Sequence, residues 1–349
     1  EIPGLETVNA TDRHGRWKRQ LPKFPWSADA EGIPLSLLAE PLVVRWPYST
    51  VQPRSLACDA TGSQFLVNDG LSVFVAKLVT PKPFGPKRRL PANLRKRAQL
   101  ALSAEPQATE PPARPAMEFR GAPACLGLMG HALQDVAILC GTSAANASLP
   151  LGTGCEALVL HSHGQLLTSC PLGGTAAGHS FSLPDGWLEP AGMGRPWSEE
   201  VTSVLVDPDC KATTEDTLRR GCAWVGTTHG RIVRLRESSD GRRLLPEDLV
   251  DGDLGRQLRP SLAGIRSLTG SHLAALGHGA RDLRLLAMGE GGKATDVGLA
   301  RLELPQEELP STFCVGGGHI YALGSGRAPG LWRFPIPTEI GPAAAAWTE

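Results

Sequence analysis

Short apolar runs, broken by polar turns that carry glycine, recur along most of this chain. Ser55 to Leu78 reads SLACDATG, SQFLVNDG, LSVFVAKL. Thr202 to Glu237 reads TSVLVDPD, a polar insertion, then CAWVGTTHG and RIVRLRE. Arg266 to Gly289 reads RSLTGS, HLAALGHGAR, DLRLLAMG, and Ser311 to Pro337 reads STFCVGGG, HIYALGSGRAPG, LWRFPIP. Glu156 to Leu172 supplies a fifth copy, EALVLHSHG and QLLTSCPL. Each full copy predicts an apolar strand, a turn, a second apolar strand, a glycine-bearing turn and a third strand. Within Ile232-Val233-Arg234-Leu235-Arg236, apolar and charged residues alternate with the period of two that a half-buried strand requires.

The turns between second and third strands carry Asp69-Gly70, His163-Gly164, His229-Gly230, His278-Gly279 and Ser325-Gly326. Glycine suits tight hairpin turns because they need a positive φ. These glycines are separated by 94, 66, 49 and 47 residues. Propeller blades of four antiparallel strands repeat every ~40–50 residues. The last two intervals fit directly, and the 66 includes the insertion Lys211 to Gly221. The 94 is twice 47 and leaves room for a further degraded blade built from Cys125 to Met129 and Val136 to Cys140. The expectation is an all-β propeller of about five or six blades. Leu42-Val43-Val44-Arg45-Trp46 precedes the first clear copy and is expected to pair with the C-terminal blade, closing the ring and removing open sheet edges.

Two stretches stand outside the repeat. Residues 1–40 have little periodicity and read as an N-terminal arm, with 41–349 as the propeller. Within it, 80–121 reads as an inserted basic, proline-rich loop. Lys82, Lys87, Arg88, Arg89, Arg95, Lys96 and Arg97 occur there without an acidic residue between them, and AEPQATEPPARPA follows as a linker. That run is the candidate docking segment for an acidic or phosphate-bearing partner; a solvated loop or a dibasic site cut by proteases has the same composition.

Composition narrows the classes. Forty Gly and 30 Pro fit many short strands and turns. Lys plus Arg equals Asp plus Glu at 35 each, so no whole-molecule field draws the chain to nucleic acid or an acidic membrane. No apolar run approaches the ~20 residues that span a bilayer. The eight cysteines form no CxxC pair, which argues against a zinc ribbon or thioredoxin-like centre. Most lie in apolar runs and read as small buried hydrophobes; Cys210 and Cys222 flank the polar insertion and form a candidate disulfide. Asn9-Ala10-Thr11 and Asn146-Ala147-Ser148 are glycosylation sequons. These hints lean toward a secretory compartment while leaving an intracellular one open.

Ala223-Trp224-Val225-Gly226-Thr227-Thr228-His229-Gly230-Arg231-Ile232 resembles the blade motif of two-component-regulator-type propellers. Ser55-Leu56-Ala57-Cys58-Asp59-Ala60-Thr61-Gly62 is similar to the opening strand of NHL- and YVTN-type blades. Both resemblances imply a propeller blade without choosing a subfamily, and the WD dipeptide of WD40 repeats is absent.

Catalytic patterns fail one by one. Gly178-His179-Ser180-Phe181-Ser182 lacks the final glycine and the helix of a nucleophile elbow. Gly292-Lys293 is followed by Ala294, so there is no P-loop. Gly324-Ser325-Gly326 and Gly330 fall between strands, where no helix N-terminus meets a phosphate. Asp248, Asp251 and Asp253 depart from the EF-hand spacing and read as an acidic turn. His161 and His163 share a strand face, and His163, His229 and His278 recur before the turn glycines; hairpin turns in contact with water are the simpler reading. The expected function is a non-catalytic protein- or ligand-binding scaffold with no cofactor. The alternative is a hydrolase or lactonase-like propeller with a divalent cation at the central channel, for which Asp59 and Asp207 are the candidate ligands.

Overall fold

The computed structural model describes residues 35–44, 46, 52–79, 114–126, 132–140, 155–161, 166–172, 180–182, 199–206, 223–238, 244–249, 261–269, 272–288, 294–305, 308–326 and 330–336. Every regular element among them is a strand. The chain opens with β1 (Leu35–Leu38) and β2 (Glu40–Val44). A first unit follows: β3 (Ser55–Cys58), β4 (Gln64–Asn68), β5 (Ser72–Val79) and β6 (Ala116–Phe119), with short β7 (Cys125–Leu126) beside β5. The second unit is β8 (Leu133–Cys140), β9 (Cys155–His161), β10 (Leu166–Pro171) and β11 (Ser180–Ser182). The third is β12 (Val201–Val206), β13 (Ala223–Thr227), β14 (Ile232–Glu237) and β15 (Leu244–Leu249). The fourth is β16 (Leu262–Thr269), β17 (His272–Gly277), β18 (Asp282–Met288) and β19 (Ala294–Glu303), and the last holds β20 (Pro310–Gly316), β21 (His319–Gly324) and β22 (Leu331–Pro335).

The protein is a β-propeller. Each unit is an antiparallel meander, and the innermost strands β3, β8, β12, β16 and β20 each touch the next, with β20 returning to β3. β2 supplies the fourth strand of the last unit, pairing antiparallel with β22 through Glu40↔Arg333, Pro41↔Trp332 and Leu42↔Leu331. Its end then pairs parallel with β6 through Val43↔Ala116, so first and last units share one sheet. β1 likewise covers the outer edge of β19 in parallel. The two strand segments anticipated for a degraded blade instead join neighbouring sheets. Cys125–Leu126 pairs with β5, and Val136 to Cys140 lies within β8.

The second strands are buried on both faces because each unit is sandwiched between two others. β13 and β17 are buried at every residue. On β13 and β14, Trp224 and Ile232 pack with Leu262 and Ile265 of the fourth unit. Val225 and Val233, one residue along, pack with Leu158 and Leu160 of the second. Similar layers join the fourth unit to the last through Leu283 and Phe313, the first to the second through Leu66 and Val159, and the last to the first through Tyr321 and Phe65. Five such layers close the circle among the described residues.

Candidate functional site

The ring defines two faces. On the upper face, inner strands begin and second strands turn into third strands; Gly70, Gly230 and Gly279 hold φ of 94°, 73° and 71° there, as hairpin turns require. These turns are tied to the residue that leads into the inner strand of the same unit. Arg54 N donates to Asn68 O, Thr228 N to Glu200 O, His278 N to Ser261 O and Ser325 N to Leu309 O. Inner strands also carry a bulge at a recurring place, skipping Gln134, Thr202, Ala263 and Ser311 in the pairing. A bulge leaves ladder groups unpaired. Two of the skipped residues answer this themselves: Thr202 Oγ1 donates to Gly226 O and Ser311 Oγ to Leu323 O.

At the centre, the inner strands bring together two charges far apart in sequence. Asp135 on β8 is 1% exposed and Arg266 on β16 is 5% exposed. Arg266 Nη2 lies 3.0 Å from Asp135 Oδ1, and Nη1 lies 3.3 Å from Oδ2. The guanidinium also donates to Val204 O on β12 and Leu56 O on β3, and Val204 N donates to Asp135 Oδ2. One ion pair thus ties together four of the inner strands. The bonds to Nη1 and Nη2 offset most of the cost of burying this charge, while Arg266 Nε is buried without a partner among the described residues.

A second network sits on the upper face of the third unit. The Glu199 side chain, 1% exposed, accepts from Thr227 Oγ1 at 2.5 Å and from Arg231 Nε at 2.8 Å. Arg231 Nη2 pairs with its other oxygen, and His229 Nδ1 lies 3.2 Å from that same oxygen. Burial works to raise the Glu199 pKa, but the bonds from Arg231 and Thr227 and the Arg231 charge outweigh it, and the net displacement is downward. Glu308 holds the corresponding place in the last unit, as shown by the matching bonds at Glu200 and Leu309. There Gly324 and Gly326 stand in place of Thr227 and His229, and Glu308 Oε2 is buried with no hydrogen-bond partner.

The residues anticipated from sequence are distributed as follows. Asp59 closes the β3–β4 turn on the lower face: its carboxylate accepts from Thr61 Oγ1 at 2.7 Å, Ser63 N at 2.9 Å and Gln64 N at 3.1 Å. Its oxygens are thus engaged within their own turn, and Asp207 lies outside the described residues. His161 is buried, with Nε2 2.9 Å from Thr168 Oγ1, and His163 lies outside the described residues. Asp248 is a β15 residue opposite Arg234. Gly326 does not hold positive φ; the longer turn there is closed by Gly324 N donating to Gly330 O. Among the described residues, no three His, Cys, Asp or Glu side chains converge as a metal set.

Lys82, Lys87, Arg88, Arg89, Arg95, Lys96 and Arg97 also lie outside the described residues. The end of the stretch read as a loop over 80–121 is instead strand: Ala116–Phe119 form β6, where Ala116 pairs with Val79 and Met117 is buried in the core. Cys210 and Cys222 lie outside as well. Other cysteines correct the reading of them as simple hydrophobes. Cys58 is bonded to Cys314 and Cys125 to Cys170, with Cα separations of 5.7 and 6.2 Å, inside the usual disulfide range. Asp135, Arg266, Glu199 and the disulfide pairs are the features that sequence reading missed. The available signal for the first two was a single charge inside an apolar run, LQDVAIL and AGIRSL, with opposite signs.

No protein-family model matches the chain, and no curated protein matches it. Among solved structures, it is similar to virginiamycin B lyase from Staphylococcus aureus, with 9% identity and a TM-score of 0.37 over 84% of this chain and 69% of that one. It is similar to a putative 6-phosphogluconolactonase from Bacteroides uniformis, with 11% identity and a TM-score of 0.37 over 82% and 68%. It is also similar to the WD40 repeats of RRP9, with 9% identity and a TM-score of 0.39 over 86% and 100%.

Proposed function

We propose that this chain is a non-catalytic binding propeller that holds its partner through loops rather than at its axis. The observation that carries the reading is the Asp135–Arg266 pair: the central position where a channel enzyme gathers ligands is filled by a guanidinium bonded to Leu56 O, Val204 O and Asp135. The engagement of Asp59 in its own turn supports the same reading. A rigid ring of this kind displays variable loops at fixed positions, which suits recognition. The insertion between β5 and β6, with Lys82, Lys87, Arg88, Arg89, Arg95, Lys96 and Arg97, is the proposed contact for an acidic or phosphate-bearing partner, since clustered cations attract such groups. Pull-down with the whole chain should recover a partner whose binding weakens with added salt. Deleting 81–113, which leaves β5 and β6 in place, should abolish that binding while the ring stays folded. Equal recovery by both proteins would remove the insertion from the account, and stoichiometric Ca, Mg or Zn in the purified protein would favour a metal-dependent enzyme.

A further inference from the structure

Chain continuity joins each unit to the next except between the last unit and the first. That seam is spanned by β2, by Tyr321 donating to Gly62 O, by Gly317 N donating to Ala60 O, and by the Cys58–Cys314 bond. The bond joins β20 to β3, innermost strands whose cysteines are 256 residues apart in sequence. Cys125–Cys170 fastens β7, beside the first unit, to β10 of the second. Cys155 is disulfide-bonded as well, and no cysteine is free among the described residues.

We propose that the ring is locked covalently at its seam, and that the protein matures and works in an oxidising compartment. Each bond forms when a thiol pair gives up two electrons and two protons to a more oxidising disulfide, either oxidised glutathione or the disulfide of an oxidoreductase, which becomes two thiols. Cytosolic thiol pools hold such pairs reduced, whereas secretory compartments preserve them. The sequons Asn9-Ala10-Thr11 and Asn146-Ala147-Ser148 are acceptors in that same setting. The proposal is independent of the binding role and narrows partners to molecules that reach such a compartment.

The test is thiol alkylation of the whole chain, unfolded without reductant and read by peptide mass mapping, after recovery from its native source. Cys58, Cys125, Cys155, Cys170 and Cys314 should carry no adduct, and one cross-linked peptide should contain Cys58 and Cys314. Alkylated Cys58 and Cys314 would overturn the proposal. The lock itself is read by amide exchange. Cys58→Ala/Cys314→Ala, or mild reduction of the native protein if that variant does not fold, should speed exchange in 42–44 and 331–335 by roughly tenfold or more, because the cross-link limits opening of the seam. Unchanged exchange there would show that the bond does not hold the seam.

Discussion

Glu199 and Glu308 occupy the same place in two units and meet opposite fates. Glu199 faces Arg231, His229 and Thr227, whereas Glu308 faces glycine backbone. Removing one member of a well-bonded buried pair leaves the other charge uncompensated. Glu199→Gln should therefore cost about 2–4 kcal/mol in urea unfolding, at or below the usual range for buried pairs, because the Arg231 side chain is 18% exposed and partly rescued by water. Glu308→Gln should cost less than about 0.5 kcal/mol or stabilise, because it removes a buried carboxylate oxygen that has no donor. The pH dependence has a definite sign. The folded pKa of Glu199 lies below the ordinary 4.5, so its contribution is complete above that value and is lost as pH falls through the folded pKa. Acid titration of stability in wild type and Glu199→Gln should show the mutant's slope to be shallower in that window. A third residue-scale prediction concerns Gly316, where an added Cβ would lie 2.3 Å from Asp59 O across the seam. Gly316→Ala should lower stability by about 1–3 kcal/mol, as overpacking does, measurable as a lowered denaturant midpoint.

At the scale of elements, β2 carries the seam. Leu42 is 8% exposed and packs with Leu56, Leu323 and Leu331 from the two units that it joins. Leu42→Ala should cost about 2–5 kcal/mol in denaturant unfolding, and a loss under 1 kcal/mol would argue that the closing strand is weakly held. The strand–turn–strand grammar was readable in sequence because it is local, and the closing strand because a ring of sheets leaves an open edge for the first spare apolar strand to cover. Apolar runs such as HLAALG and the glycines at Gly70, Gly230 and Gly279 answer to short-range pairing and φ. Burial on both faces was less readable, because alternation in IVRLRE reports only its own strand, while Trp224 and Val225 point to different neighbouring units. The excess length between Gly70 and Gly164 looked like another blade. Its strands were absorbed by the sheets on either side, which periodicity alone does not foresee. The disulfides were hidden for a similar reason. Cys58 and Cys314 sit in apolar runs that resemble those of any buried cysteine, and only the closed ring makes them neighbours.

For the molecule as a whole, closure of the ring and filling of its axis are the same fact. Asp135 and Arg266 are separated by 131 residues and come together only if β8, β12, β16 and β3 surround one axis. A double-mutant cycle on this pair is the most direct measurement. Asp135→Asn and Arg266→Met should each cost about 3–5 kcal/mol, since each strands a buried partner. The double mutant should lose less than the sum of the two, with a coupling of up to about 3 kcal/mol. Single effects that add within about 0.5 kcal/mol would place the two charges in separate surroundings and contradict a closed ring with a filled centre.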